Sequence, residues 1–211
     1  MQSEKQNQNL KIACLFPRYG REEYTIKSKK ALYQGGYKVF EHNGEQGLRQ
    51  AIIDFFDTVR GKYDIIAKID NDCIVPQGWM DTITEIFQTT DVDIISPNVV
   101  PSNAAFKYGE DTEDELGYRR GKIVGGLWCM KMRMIEDLEF DHYDVYGIKG
   151  AFNILKQIVL DKQPKIGWTT KVTVQDIGHW TGHHPDHIKS VKHAQYSADI
   201  GRGIAWTPQG E

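Results

Sequence analysis

The chain reads as a single α/β domain whose central sheet is mostly parallel and flanked by helices. Apolar runs rich in β-branched residues alternate with stretches of helical spacing, three times in succession between residues 10 and 90. Successive strand–helix units of this kind build parallel sheets with helices on both faces. The length of 211 residues suits one domain with a large core, and 40% hydrophobic against 26% charged residues is a globular balance.

Residues 1–9 form a polar tail, and 10–211 the domain. LKIACLF (10–16) has a buried-strand pattern, and EEYTIKSKKALYQ (22–34) looks helical after the breaker-rich PRYGR. GYKVFEHN (36–43) is a second strand. In LRQAIIDFFDTVR (48–60), Leu48, Ala51, Ile52, Phe55, Phe56 and Val59 recur at helical spacing and predict a core face. YDIIAKID (63–70) is a third strand, WMDTITEIFQTT (79–90) a third helix, and DVDIISPNVV (91–100) a fourth strand. Beyond them, 104–122 reads as a long exposed acidic loop and KIVGGLWCMKM (122–132) as a strand. The region 143–160 leads into a helix, 165–182 holds a strand followed by a Gly- and His-rich turn, and 184–204 is a final helix with Pro185 in its first turn.

Ligands of open α/β sheets sit beyond the carboxyl ends of the strands, and the loops PRYG, HNGEQG and DND all fall there. The net charge of −3 gives no case for a nucleic-acid binder. Cys14, Cys73 and Cys129 are odd in number and far apart, which argues against disulfides or a thiolate zinc site and fits a reducing compartment. The polar N-terminus lacks a signal-peptide core, and no apolar run reaches the roughly 18 residues of a membrane span. A cytoplasmic location is expected, in the host's cytoplasm if the source is a virus. The chain ends at TPQGE without a capping element, which fits one module of a longer polypeptide.

Strand three ends on Asp70-Asn71-Asp72. In an extended segment the side chains at i and i+2 project together, so Asp70 and Asp72 converge while Asn71 turns away. Two convergent carboxylates make a hard oxygen site suited to Mn²⁺ or Mg²⁺, with open positions for phosphate oxygens. The plainer alternative is a pair of solvated turn residues. The apolar strand before the tripeptide and the Pro-Gln-Gly-Trp after it shift the balance toward a metal. Four of the seven histidines, His179, His183, His184 and His187, cluster in residues 176–187. They offer either a separate zinc site or one imidazole completing the carboxylate-bound metal, with His179 first and His183 next.

In order, FPRYGREEY, HNGEQGLRQA, IDNDCIVPQGWMDTI, VGGLWCM and IGHWTG resemble the motif series of GT-A (Rossmann-like) glycosyltransferases, especially family-2-like enzymes of compact viral and bacterial type. The resemblance spans roughly residues 10 to 190. It implies a hexosyl- or deoxyhexosyltransferase in glycan biosynthesis, moving a sugar from a nucleotide-diphosphate donor, most commonly UDP-linked, to a saccharide hydroxyl. It implies that Pro17, Arg18 and Tyr19 line the nucleotide pocket, with Glu41 or Asn43 near the base and Arg49 at the base or a phosphate. Asp70, with Asn71 beside it, falls by the ribose or reaches the metal through water, Asp72 binds the metal directly, and His179 resembles a metal-binding histidine. Gly125, Gly126 and Trp128 shape the sugar site.

Two departures stand out. HNGEQG replaces the acid-rich loop usual after the second strand, and VYGIKGAFN lacks the carboxylate that serves inverting members as general base. Either Asp141, Asp144 or Asp176 supplies the base or the enzyme retains configuration, with a mild lean to retention. A nucleotidylyltransferase is a rival, but its Gly-rich loop does not match PRYGREEY. A catalytically idle nucleotide-sugar or glycan-binding module and a histidine-site metalloprotein complete the alternatives. Among the remaining residues, Trp79 and Trp168 read as packing, the acidic run 110–115 as a solvated loop or a lid, and Lys68 as strand-edge solubility.

Overall fold

A computed structural model describes residues 10–18, 22–43, 47–100, 119–120, 127–140 and 148–177. Its elements are β1 (Ile12–Pro17), α1 (Glu22–Leu32), β2 (Lys38–His42), α2 (Leu48–Val59), β3 (Ile65–Lys68), β4 (Cys73–Ile74), α3 (Trp79–Thr89) and β5 (Ile94–Val100). There follow β6 (Arg119–Arg120), β7 (Trp128–Lys131), a 3₁₀ turn at Met132–Met134, α4 (Ile148–Lys162) and β8 (Ile166–Asp176). The acidic run 110–115 and the helix expected over 184–204 lie outside the described residues. No described helix is long and apolar enough to cross a membrane.

Strand alternation divides the core. Cys14 and Phe16 of β1 face a cluster containing Leu32 of α1 and Trp79, Met80, Ile83, Ile86 and Phe87 of α3. Ala13 and Leu15 point the other way, into Ile52, Phe55, Phe56 and Val59 of α2 and Ile154, Leu155 and Ile158 of α4. The sheet is therefore covered on both faces, as the strand–helix alternation predicts. Trp79 packs edge-on to Tyr37, with ring centroids 5.7 Å apart, and its indole N–H donates to the Tyr37 hydroxyl at 2.8 Å. That hydroxyl donates in turn to the Leu32 carbonyl at 2.7 Å, so both buried polar tips are satisfied.

The sheet is mixed rather than mostly parallel, which corrects the expectation. Its order is β2-β1-β3-β7-β5-β8-β4, with β6 on β8. β1 pairs in parallel with β2 and β3, and β5 with β8, but β7 enters between β3 and β5 antiparallel to both. β3 and β5 thus keep a common direction without being neighbours. The apolar pattern of Trp128–Met130 records burial on both faces and is blind to strand direction. Two short antiparallel strands also went unforeseen: β4, in what reads as a turn, and β6, in what reads as loop, both pairing with β8.

Trp128 corrects a second expectation. It is 1% exposed and packs on Phe56 at 6.1 Å between centroids, so its ring fills the core and faces no sugar. Nearby, the Arg60 guanidinium donates to the carbonyls of Ile135, Glu136 and Leu138 at 2.5, 2.9 and 2.8 Å. This ties the turn after β7 to the end of α2. Because Phe56 also meets Phe55 and Phe140, Phe56→Ala is expected to cost about 3–5 kcal/mol, read as a lowered midpoint in urea unfolding.

Candidate functional site

The registers Pro17↔His42 and Leu15↔Lys68 bring the carboxyl ends of β1, β2 and β3 to one rim. β8 shares the direction of these strands through β5, so Asp176 ends at the same rim. Backbone bonds hold the Asp70–Asp72 turn there. Ile69 N–H donates to the Leu15 carbonyl at 3.0 Å, extending the β1 pairing, and Cys73 N–H donates to the Asp70 carbonyl at 3.1 Å. From the far side, Ile177 N–H donates to the Asp72 carbonyl at 2.8 Å, next to the Cys73↔Asp176 pairing.

Asn71 is buried and its amide donates to the Thr25 hydroxyl of α1 at 2.8 Å. It anchors the turn to α1 where the resemblance implied a donor contact, and because residues 71 and 72 form a turn after β3 ends at Lys68, the extended segment that the i, i+2 alternation assumes is not present. Asp70 and Asp72 stay half-buried. Lys68 is 2% exposed and its ammonium ion-pairs with Asp70 Oδ1, so it is a buried counter-charge and not a solubilising edge residue. The Cys73 thiol reports the local field. Burial pushes it up first, the charges of Asp70, Asp72 and Asp176 push it further, and Lys68 partly offsets them. Asp176 reaches the same turn from a strand roughly a hundred residues downstream, through its pairing with Cys73.

Asp70 and Asp72 carry hard oxygen donors, a chemistry that suits a small divalent cation over a thiophilic one. Among the described residues no group of three or more His, Cys, Asp or Glu is placed to hold a metal ion. His179 and His183 lie outside the described residues, as do Tyr19, Gly125, Gly126, Asp141 and Asp144.

The β1–β2 end of the rim is a charged network. Pro17 is buried as the last residue of β1, and the next residue, Arg18, donates its backbone N–H to the His42 carbonyl at 2.7 Å. The Arg18 guanidinium reaches Glu22 at 3.0 Å and Glu41 at 3.9 Å. Glu41 is also held by Lys29 at 2.6 Å and accepts from the Tyr33 hydroxyl at 2.5 Å. Asn43 follows β2 and is exposed, while Arg49 is half-buried in the first turn of α2. His42, which the sequence reading passed over, meets Asp54 through Nε2 at 3.1 Å, and Gln50 donates to the same carboxylate at 2.7 Å. No sequence signal marked that pair, since β2 and α2 contribute one partner each.

No family model matches, and no curated protein sequence matches. Solved structures do. A197 from STIV aligns over 78% of this chain and 84% of its own, with 13% identity and a TM-score of 0.51. S. aureus TarS 1-349 in complex with UDP aligns over 79% of this chain, with 8% identity and a TM-score of 0.56. The same TarS segment in a second structure gives 78%, 8% and 0.54. This chain spans 60% of the TarS length. At these identities the likeness is one of fold. The fold is GT-A-like.

Lys29, then Tyr33, hold the Glu41 carboxyl below the usual glutamate range. Its stabilising contribution is thus present above the ordinary glutamate value and is lost as pH falls through the lowered folded value. The Tyr33 hydroxyl is pushed from 10.0 up to about 12, first by burial and then by Glu41. Its contribution is complete below the ordinary tyrosine value and fades as pH rises toward the folded one. Lys29→Ala is expected to move the Glu41 carboxyl titration, followed by NMR, upward toward that of a free glutamate.

Proposed function

We propose that the protein is a metal-dependent glycosyltransferase that moves a sugar from a nucleoside-diphosphate donor to a hydroxyl of a saccharide acceptor. The reading is supported by the placement of the Asp70–Asp72 turn and the end of β8 at the carboxyl rim of the sheet, joined by backbone hydrogen bonds, in a fold shared with TarS. UDP is the favoured nucleotide, because the TarS structure that shares this fold carries UDP.

In this reading Asp72 is the direct ligand of Mn²⁺ or Mg²⁺, Asp70 lies beside it, and His179 or His183 completes the set. The bound ion would supply Lewis-acid stabilisation of the departing diphosphate. Arg18 and Arg49 add positive charge along the rim, where the diphosphate of a donor would lie. Glu41 and Asn43, at the end of β2, flank the position of the base, and Gly125, Gly126 and Tyr19 are assigned to the donor pocket from the motif order. Asp176 is the base candidate that reaches the rim from β8, and Asp144 is the second. If Asp176 takes the acceptor proton, the transfer inverts configuration. If no carboxylate does so, the transfer retains it.

Calorimetry and a donor-hydrolysis assay test this together. Asp72→Ala is expected to abolish the Mn²⁺-dependent part of UDP binding while the circular dichroism spectrum stays unchanged. Donor affinity in Mn²⁺ equal to wild type would remove the assignment. Asp176→Asn is expected to keep UDP binding and lose transfer by about 10²–10⁴-fold if it is the base. Tight UDP binding with no turnover by the unmodified protein, across donors and acceptors, would make the chain a binding module.

A further inference from the structure

A helix that packs on a sheet normally buries an apolar stripe, and α1 does so only in part. Its buried residues are Thr25, Ser28 and Leu32, so two of the three carry hydroxyls. Burying a hydroxyl costs free energy unless it finds a partner. Thr25 is 2% exposed and accepts from the Asn71 amide at 2.8 Å, in the turn between β3 and β4. One and two turns further along α1, Lys29 and Tyr33 reach Glu41 at the end of β2. Thr25, Lys29 and Tyr33 stand four residues apart, the spacing of neighbours on one side of a helix. The Tyr33 N–H still donates to the Lys29 carbonyl, at 3.1 Å, so the helical turn carries through to it. One helix thus meets both polar ends of the rim.

We propose that Thr25 is a positioning residue for the nucleotide donor: its hydroxyl, by accepting from Asn71, sets the Asp70–Asp72 turn against the same helix that fixes Glu41. This rests on the donor-binding reading of the rim and on no particular set of metal ligands. Sequences break the apolar rule at functional sites, where a fixed geometry is kept in place of packing. Asn71 is the middle residue of its turn, so any shift of its backbone moves Asp70 and Asp72 with it. Thr25 and Asn71 have further contacts as well. Loss of the bond between them therefore displaces the turn without releasing it. A displacement of about 1 Å in a binding element is enough to cost a large factor in function. Because Lys29 and Tyr33 hold Glu41 from the same side of α1, the helix keeps the turn and the end of β2 at one spacing. A donor that spans the rim needs both ends at once.

The test is calorimetric titration of the 211-residue chain with UDP in a buffer containing Mn²⁺, at a temperature where circular dichroism shows each variant folded. The variants are Thr25→Val, Thr25→Ser, Asn71→Ala and the double variant Thr25→Val/Asn71→Ala. Thr25→Val keeps the shape of the side chain and removes the acceptor, and it is expected to weaken UDP binding about tenfold, as is Asn71→Ala. Thr25→Ser keeps the hydroxyl and is expected to bind within about threefold of wild type. The double variant is expected to bind no more weakly than Thr25→Val, because the two changes remove the same bond. A purely structural role lowers the thermal midpoint and leaves the UDP affinity of the folded protein at the wild-type value. That result for Thr25→Val overturns the proposal while leaving the donor-binding reading intact. So does a Thr25→Ser as weak as Thr25→Val, or a double variant whose loss is the product of the two single losses. If Thr25→Val loses its cooperative thermal transition, Asn71→Ala decides, and wild-type affinity there overturns the proposal. Absence of UDP binding by wild type sinks the donor-binding reading and this inference together.

Discussion

Like charges on the same side of one chain repel, and a strand end crowded with carboxylates stands only where positive charge meets it. Here the buried ammonium of Lys68 ion-pairs with Asp70, and the pairing of Cys73 with Asp176 brings a further carboxylate-bearing residue to the same turn. The remaining features of the site follow from keeping those groups together. Asn71 ties the turn to Thr25, β4 ties it to β8, and Ile177 closes it over Asp72. The turn is short, yet α1, β1 and β8 each contribute a bond that fixes it.

The same rim carries a second, independent charge system. Arg18, Lys29 and Tyr33 surround Glu41 at the end of β2 and favour its ionised form.

Much of the fold was legible because it depends on periodicity. The core face of α2, read from Leu48 to Val59, contains Ala51, Ile52, Phe55, Phe56 and Val59 in the observed core. The buried strands β1, β3 and β5 appear within the apolar runs expected for them. Strand direction was not legible. Trp128–Met130 looks the same whether β7 runs with its neighbours or against them, because a strand buried on both faces carries no record of its hydrogen-bond pattern. Trp128 illustrates the related loss for function: an aromatic next to a Gly pair fits a sugar platform in the sequence, and only its contact with Phe56 shows that it belongs to the core.

By itself, the sequence determined the alternation of strands and helices and the placement of the Asp70–Asp72 segment at the end of a buried strand. Each is set by the spacing of neighbouring residues along the chain. Only the tertiary structure decided that β8 pairs with the segment after Asp72, that Lys68 turns inward to meet Asp70, and that β7 divides the parallel strands. Those outcomes depend on which distant segments pair across the sheet, and side-chain burial and charge pairing follow from that choice.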